Sequence, residues 1–272
     1  MRKLYAYILN FLLLVACFFT ISPLLWMVSA SFMSIGEASQ IPIRILPQNF
    51  TLENYKILFS RLNLSRYFIN SLIISLSVTF ISLFLNSLAG YAFAKYQFKK
   101  RDKIFNFLLS LMVIPGQVTM LPLFLMLKNL GLVNTYLGVI IPGMCSVFGI
   151  FMIRQYVISI PDSLIESARM DGAGEFQIYL KIILPLCKPI LITLGLFTFI
   201  GTWNDFLWPL IIMTDNSMYT LPVAIANLMG EHSADVELMM AGSVITVFPI
   251  LLVFAIAQNY YIQGIMGGAL KE

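Results

Sequence analysis

Residues 154–188 read RQYVISIPDSLIESARMDGAGEFQIYLKIILPLCK, an island of charge in a chain that is otherwise strongly apolar. Pro161 at a first helical position, Asp162 in the first turn and Gly172 as a stop predict a short helix of about three turns. That helix presents Leu164, Ile165 and Ala168 on one side and turns Glu166 and Arg169 towards another. Two readings stay open on spacing alone: a peg made to enter a partner's groove, or an amphipathic helix lying on a lipid surface.

Outward from this island the composition leaves little room for a soluble fold. Of 272 residues 59% are hydrophobic and 11% charged, and the mean hydropathy is +0.87. A soluble domain carries about 25% charged residues to solvate its surface, so this chain needs a second apolar phase, a lipid bilayer. A fused ATPase, a large receptor head or a DNA-binding module is excluded. The net charge of +4 is too weak for a nucleic-acid surface. Cys17, Cys145 and Cys187 fall in or beside separate apolar segments with no C-x-x-C pair, and read as packing residues.

Dividing the chain at its charge clusters leaves six apolar segments, at 4–33, 70–94, 104–127, 136–153, 189–213 and 239–263. Each is long enough for a membrane helix, which needs roughly 20 residues, the fourth only just. Helices are preferred over strands because they bond their own backbone groups. The first segment is too long for the apolar core of a signal peptide and reads as a retained span. The expectation is an all-α membrane protein with six transmembrane helices, a single domain over 1–272 with 154–188 as its longest loop. Twelve of the 17 Lys and Arg fall on the side shared by both ends of the chain, among them Arg2, Lys3, Lys95, Lys100, Arg154 and Lys271. The positive-inside rule then places both termini in the cytoplasm.

Prolines recur in or beside the spans, at 23, 115, 122, 142, 189, 209 and 249, each removing an intrahelical donor, which fits bent helices. In the second span Ser71, Ser75, Thr79, Ser82, Asn86 and Gly90 recur at steps of three and four. That stripe serves close helix packing or lines a solute path. Residues 216–233 are too apolar for a free linker, and dock on this chain or on a partner.

Catalytic motifs are missing. No G-x-x-x-x-G-K-[ST] phosphate loop occurs, and the single histidine, His232, has no Cys or His beside it to form a zinc site. No metal site and no catalytic residue are expected. Asp205 is the only carboxylate or amine in any of the six segments, thin material for an ion-coupled relay. With Trp203, Asn204 and Trp208 it offers hydrogen bonding and aromatic stacking to a sugar, a possible solute path, although in one helix the two tryptophans would point about 140° apart.

The loop at 154–188 resembles a specific motif. Glu166-Ser167-Ala168, then Gly172 six positions after the glutamate, then nine residues and Ile182-Ile-Leu184-Pro185 match the E-A-A-x(3)-G-x(9)-I-x-L-P loop of permease subunits of ABC importers, with Ser167 for the middle alanine. Phe50–Tyr55, Thr202–Pro209, Thr220-Leu-Pro-Val and Gln263–Lys271 are similar to the sugar permease branch that includes the smaller membrane subunit of the maltose transporter. The resemblance implies a type I ABC importer permease fold in the inner, cytoplasmic membrane. It also implies a second permease as heterodimer partner, two ATPase subunits that carry ATP and magnesium, and an extracytoplasmic solute-binding protein. This chain would hold no cofactor and would not be an enzyme. Glu166, Ser167, Ala168, Arg169, Asp171 and Gly172 would form the helix that seats in the ATPase and its turn, and Ile182, Leu184 and Pro185 would lead back to the fifth span. An ion-coupled secondary transporter and a non-transporting assembly protein are the alternatives.

The topology is checked by reporter fusions. Fusions at Lys100 and Lys271 are expected to report the cytoplasm, and fusions near Lys128 and His232 the exterior; one reversed reporter overturns the six-span count.

Overall fold

Among the described residues every regular element is a helix, in keeping with a lipid core that offers backbone groups no water. The computed structural model describes the backbone of residues 2–60, 62–231 and 235–269 and the side chains of 5–60, 62–227 and 235–258. His232 and Lys271 lie outside the described residues. In order the helices are α1 (Arg2–Ala30), α2 (Glu53–Ser60), α3 (Leu64–Lys95), α4 (Arg101–Leu111), α5 (Gly116–Asn129), α6 (Tyr136–Gly143), α7 (Val147–Ile158), α8 (Asp162–Met170), α9 (Glu175–Ile178), α10 (Leu184–Leu186), α11 (Lys188–Trp203), α12 (Leu207–Ile212), α13 (Leu221–Glu231) and α14 (Val236–Ala269). They group into two compact units, residues 1–67 with 221–249, and residues 68–220 with 250–272.

Among the described residues three stretches are continuous helices long and apolar enough to cross a membrane: Tyr5–Ala30, Leu64–Lys95 and Val236–Gln258. The other three expected spans are broken; three bent helix pairs bring the count to at most six if each is one span, and the third of them, Glu175–Leu186 with Lys188–Trp203, begins in the loop and not at 189. Segment 104–127 divides into α4 and α5, bent by 100°, with Pro115 opening α5 where it cannot continue the donor ladder of α4. Segment 136–153 divides into α6 and α7, bent by 40°, and runs on to Ile158. The span expected at 189–213 ends at Trp203, and α12 is a separate short helix. By contrast α1, α5, α6, α12 and α14 run through Pro23, Pro122, Pro142, Pro209 and Pro249.

In the first unit the segment between α1 and α2 is pinned by buried polar groups. The Trp26 indole donates to Arg44 O at 3.0 Å, and the Asn54 amide donates to Ser31 O and Met33 O at 3.0 and 2.8 Å. Glu37 accepts from the backbone N–H of Gln48 at 2.6 Å and of Ser34 at 3.1 Å; the Gln48 bond foremost, with Arg44 adding charge, holds its carboxyl below the usual carboxylate range. Glu237, fully buried at the start of α14, accepts from Ala38 N–H at 2.6 Å. Leu221, Val223 and Ala224 of α13 are buried as well, so the start of α13 docks on its own chain; the side chains of 228–233 lie outside the described residues.

In the second unit the polar stripe of α3 is a packing surface. Ser71, Ser75, Ser82 and Asn86 are buried, and a Cβ at Gly90 would lie 2.6 Å from Ile153 Cγ2, so α3 and α7 touch almost backbone to backbone. Asn86 also repairs the break between α6 and α7. Its Oδ1 accepts from Ser146 N–H at 3.0 Å and from the Cys145 thiol at 3.2 Å, while its amide donates to Ser82 Oγ at 2.7 Å. Ser146 in turn caps α7 by accepting from Gly149 N–H at 3.0 Å. At the other end of α3, Asn70 donates to Ser217 O and Tyr219 O and accepts from the Tyr136 hydroxyl at 2.7 Å.

Asn86→Leu keeps the approximate volume but strands the Ser146 donor, and is expected to cost about 1–3 kcal/mol. Asn86→Asp keeps the acceptor but loses the donor to Ser82 and places a carboxyl in the apolar layer, and is expected to cost at least as much. Thermal unfolding in detergent measures both; equal stability for Asn86→Leu and the native chain would contradict the role.

Candidate functional site

The loop at 154–188 folds from its own punctuation. Pro161 takes the N-cap position in extended conformation, one residue earlier than expected, and α8 begins at Asp162. Its end is a Schellman turn: Gly172 N–H bonds to Arg169 O and Ala173 N–H to Ala168 O, both at 3.0 Å, with Asp171 as C-cap and Gly172 at φ +83°. A Cβ at Gly172 would meet nothing within 4 Å, so the constraint there is backbone conformation and not space.

Ile165 is the one buried residue of α8, packed with Tyr91, Ile153, Val157, Ile178 and Tyr179, and Ala168 packs partly against the same cluster. Leu164, expected beside them, faces outward with Glu166, Ser167, Arg169 and Met170, the last 88% exposed. A helix of nine residues with one buried side chain has most of its surface left over for something else.

The return to the membrane is set by proline. Pro185 has no N–H to offer Lys181 O, and its ring would crowd that carbonyl in an α-helix. The chain widens instead into a π-helical turn at Tyr179–Ile183, where Leu184 N–H reaches back to Tyr179 O. Ile182 and Leu184 pack against the buried cluster around Ile178, Pro185 is exposed, and the chain bends by 78° before α11.

Three residues that sequence reasoning missed tie the loop to α3. Lys95 Nζ bonds to Asp162 Oδ1 at 2.6 Å and to Ile160 O at 2.5 Å. The Tyr96 hydroxyl donates to Glu175 Oε2 at 2.5 Å, and Arg169 forks onto the same carboxylate at 2.7 and 3.2 Å. Burial first, and then the bond to Glu175, push the Tyr96 phenol upward, so it stays a donor at any physiological pH. The Arg169–Glu175 pair is half exposed on both sides and contributes at most about 1 kcal/mol, so its effect is on geometry more than stability. By its position in the sequence Lys95 reads only as a topology charge. Its partner lies 67 residues away and that of Tyr96 lies 79 away, so no local pattern reveals either. Arg154, another such charge, lies 4.2 Å from the Phe105 ring and donates to Phe93 O, joining α3, α4 and α7.

The four residues proposed for a solute path separate. Trp203, 1% exposed, stacks on Phe199 and meets Phe68 edge-on, and Asn204 is the exposed C-cap of α11. Trp203 and Trp208 belong to different helices, so the 140° separation expected within one helix does not apply to them. Asp205 lies in the break and its Oδ1 accepts from Trp208 N–H at a long 3.4 Å, while the Trp208 indole donates to Gly138 O at 3.0 Å. Asp205, Trp208, Thr202 and Thr119 border a cleft of about 230 Å³ whose remaining wall includes Val78, Met120, Leu123 and Val139. A neighbouring cleft of about 280 Å³ shares Val78, Gly143 and Thr202 and adds Ser82, Ser146 and Thr198. The structure therefore brings two of the four expected residues to a cleft and buries Trp203 in packing.

Residues 86–266 match the family described as the inner membrane component of binding-protein-dependent transport systems, and the chain belongs to that family. It is 37% identical over 257 residues to the arabinooligosaccharides transport system permease protein AraQ of Halalkalibacterium halodurans, covering 93% of this chain and 92% of that protein. To the diacetylchitobiose uptake system permease protein NgcG of Streptomyces coelicolor it is 30% identical over 271 residues, 98% of this chain and 89% of the other. A chain in the crystal structure of a bacterial ABC transporter involved in the import of the acidic polysaccharide alginate superposes with a TM-score of 0.84 at 25% identity, over 95% of this chain and 97% of that one. The chain is thus a multi-pass permease subunit of an ABC importer and not an enzyme.

Gly172→Val forces a β-branched residue to positive φ and is expected to lower stability by about 1 kcal/mol or more. Gly174→Ala serves as the matched control, since Gly174 has φ −70° and open space around it; it is expected to be neutral or slightly stabilising. Equal thermal shifts for the two variants would remove the turn argument.

Proposed function

We propose that this permease imports a sugar or oligosaccharide across the cytoplasmic membrane, with both termini in the cytoplasm and the whole of 1–272 acting as one permease domain. It works beside a second permease, two ATPase subunits that bind ATP and magnesium, and an extracytoplasmic solute-binding protein. The observation that carries the coupling role is the exposed face of α8, closed by the Gly172 turn and held on the unit by Ile165. Glu166, Ser167 and Arg169 on that face supply polar contacts to the ATPase, and Asp171 with Gly172 sets the angle at which they meet it. Ile182, Leu184 and Pro185 carry displacement of the loop into α11 through the π turn.

Sugar as cargo is supported by the names of the relatives, which are transport proteins for arabinooligosaccharides and diacetylchitobiose. The cleft chemistry agrees with it. Hydroxyls are recognised by groups that accept and donate hydrogen bonds, and a sugar's apolar face stacks on aromatic rings; Thr119, Thr202, Asp205 and Trp208 offer both. Asn204 and Trp203 stand beside this path, with Trp203 fixing the end of α11 from behind.

The test is solute uptake in proteoliposomes. Dependence on ATP and an added ATPase subunit is expected; drive by an ion gradient alone would make the chain a secondary transporter, and no uptake would make it an assembly protein. For the cleft, Asp205→Asn is expected to leave the complex assembled and to change transport rate or cargo preference. Loss of the complex from detergent extracts would mark Asp205 as structural.

A further inference from the structure

We propose that Lys95 and Tyr96, neighbours at the C-terminal end of α3, are positioning residues that hold the two ends of α8, so that the loop and the second span turn as one body. The proposal rests on reading α8 as the coupling helix and adds which span receives its motion. At the start of α8, Lys95 Nζ reaches both Asp162 Oδ1 and Ile160 O, and its side chain is only 8% exposed against 73% for Asp162. A lysine placed merely for topology or solvation keeps its ammonium in water; this one is drawn in and spent on two specific acceptors. At the far end, Tyr96 donates to Glu175, which receives the Arg169 fork from the last turn of α8. Between the two polar links Ile165 enters the buried cluster with Tyr91, and Tyr91 meets Tyr96 edge-on at 5.4 Å and stacks on Tyr179 at 6.0 Å.

The arrangement is mechanical. One link would leave a short helix free to pivot about it, whereas links at both ends with an apolar contact between them fix its direction relative to α3. Both links start from consecutive residues, the last of α3 and the one that follows it with its N–H still bonded to Ala92 O, so a push on the outer face of α8 is delivered to the end of α3 as a torque. The π turn and the 78° bend leave the path into α11 the more compliant of the two.

The experiment uses the complete reconstituted importer and reads cargo taken up per ATP hydrolysed, a ratio that a loss of folded protein alone does not move. Tyr96→Phe and Lys95→Met, each leaving one link, are expected to lower the ratio by less than about twofold, and the double variant by about fivefold or more, since two parallel links are not additive. A native ratio in the assembled double variant overturns the proposal. A second measurement decides if the double variant does not assemble. Lys95→Cys with Asp162→Cys, in a background with Cys17, Cys145 and Cys187 replaced, is joined by a short bismaleimide. Coupled transport is expected to survive the crosslink; a block would mean that the loop moves against α3 and overturns the proposal. Uptake by the native complex that does not depend on ATP would instead defeat the reading of α8 itself.

Discussion

A helix interrupted in the apolar layer exposes peptide groups that lipid cannot satisfy, and the fold depends on side chains placed to satisfy them. Asn86 supplies the acceptor for Ser146 N–H where α6 gives way to α7, and Ser146 supplies the next one for Gly149. Asp205 does the same, at longer range, for Trp208 N–H where α11 gives way to α12. At the ends of the second unit Asn134 accepts from Thr214 and Asp215 N–H, and Asn70 donates to the carbonyls of Ser217 and Tyr219. Short polar side chains thus do within the apolar layer what water does for a loop in a soluble protein.

These repairs are what allow the spans to be broken at all, and the breaks are where the clefts lie. The clefts lined by Thr202 border the joints between α6 and α7 and between α11 and α12, because a bent helix cannot fill the space that a straight one would. Asp205 is accordingly both a patch for the backbone and a wall of a cleft, two roles that one carboxylate can hold because it has more than one acceptor position.

Around the loop the same economy applies to charge. Residues whose sequence positions suggested only membrane orientation are used in the fold, Lys95 on Asp162 and Arg154 against Phe105 and Asp102, and Arg169, expected to face the ATPase, also bonds Glu175. Positive charge at one face of the membrane does not conflict with these contacts, since a paired lysine or arginine still carries its charge.

The sequence by itself determined the membrane class, the six apolar segments, the start and stop of α8, and the family, because each is written in runs or fixed spacings of neighbouring residues. Only the tertiary structure decided that three of those segments are broken, that Leu164 faces out while Ile165 faces in, that Trp203 and Trp208 lie on different helices, and that Lys95 and Tyr96 hold the loop. Proline marks where a helix can bend, but α5 runs on through Pro122 and opens at Pro115, and neighbouring helices decide which bend is kept. A hydrogen bond between residues 67 or 79 positions apart leaves no periodic trace in the chain, and it exists only once packing has brought the two ends together.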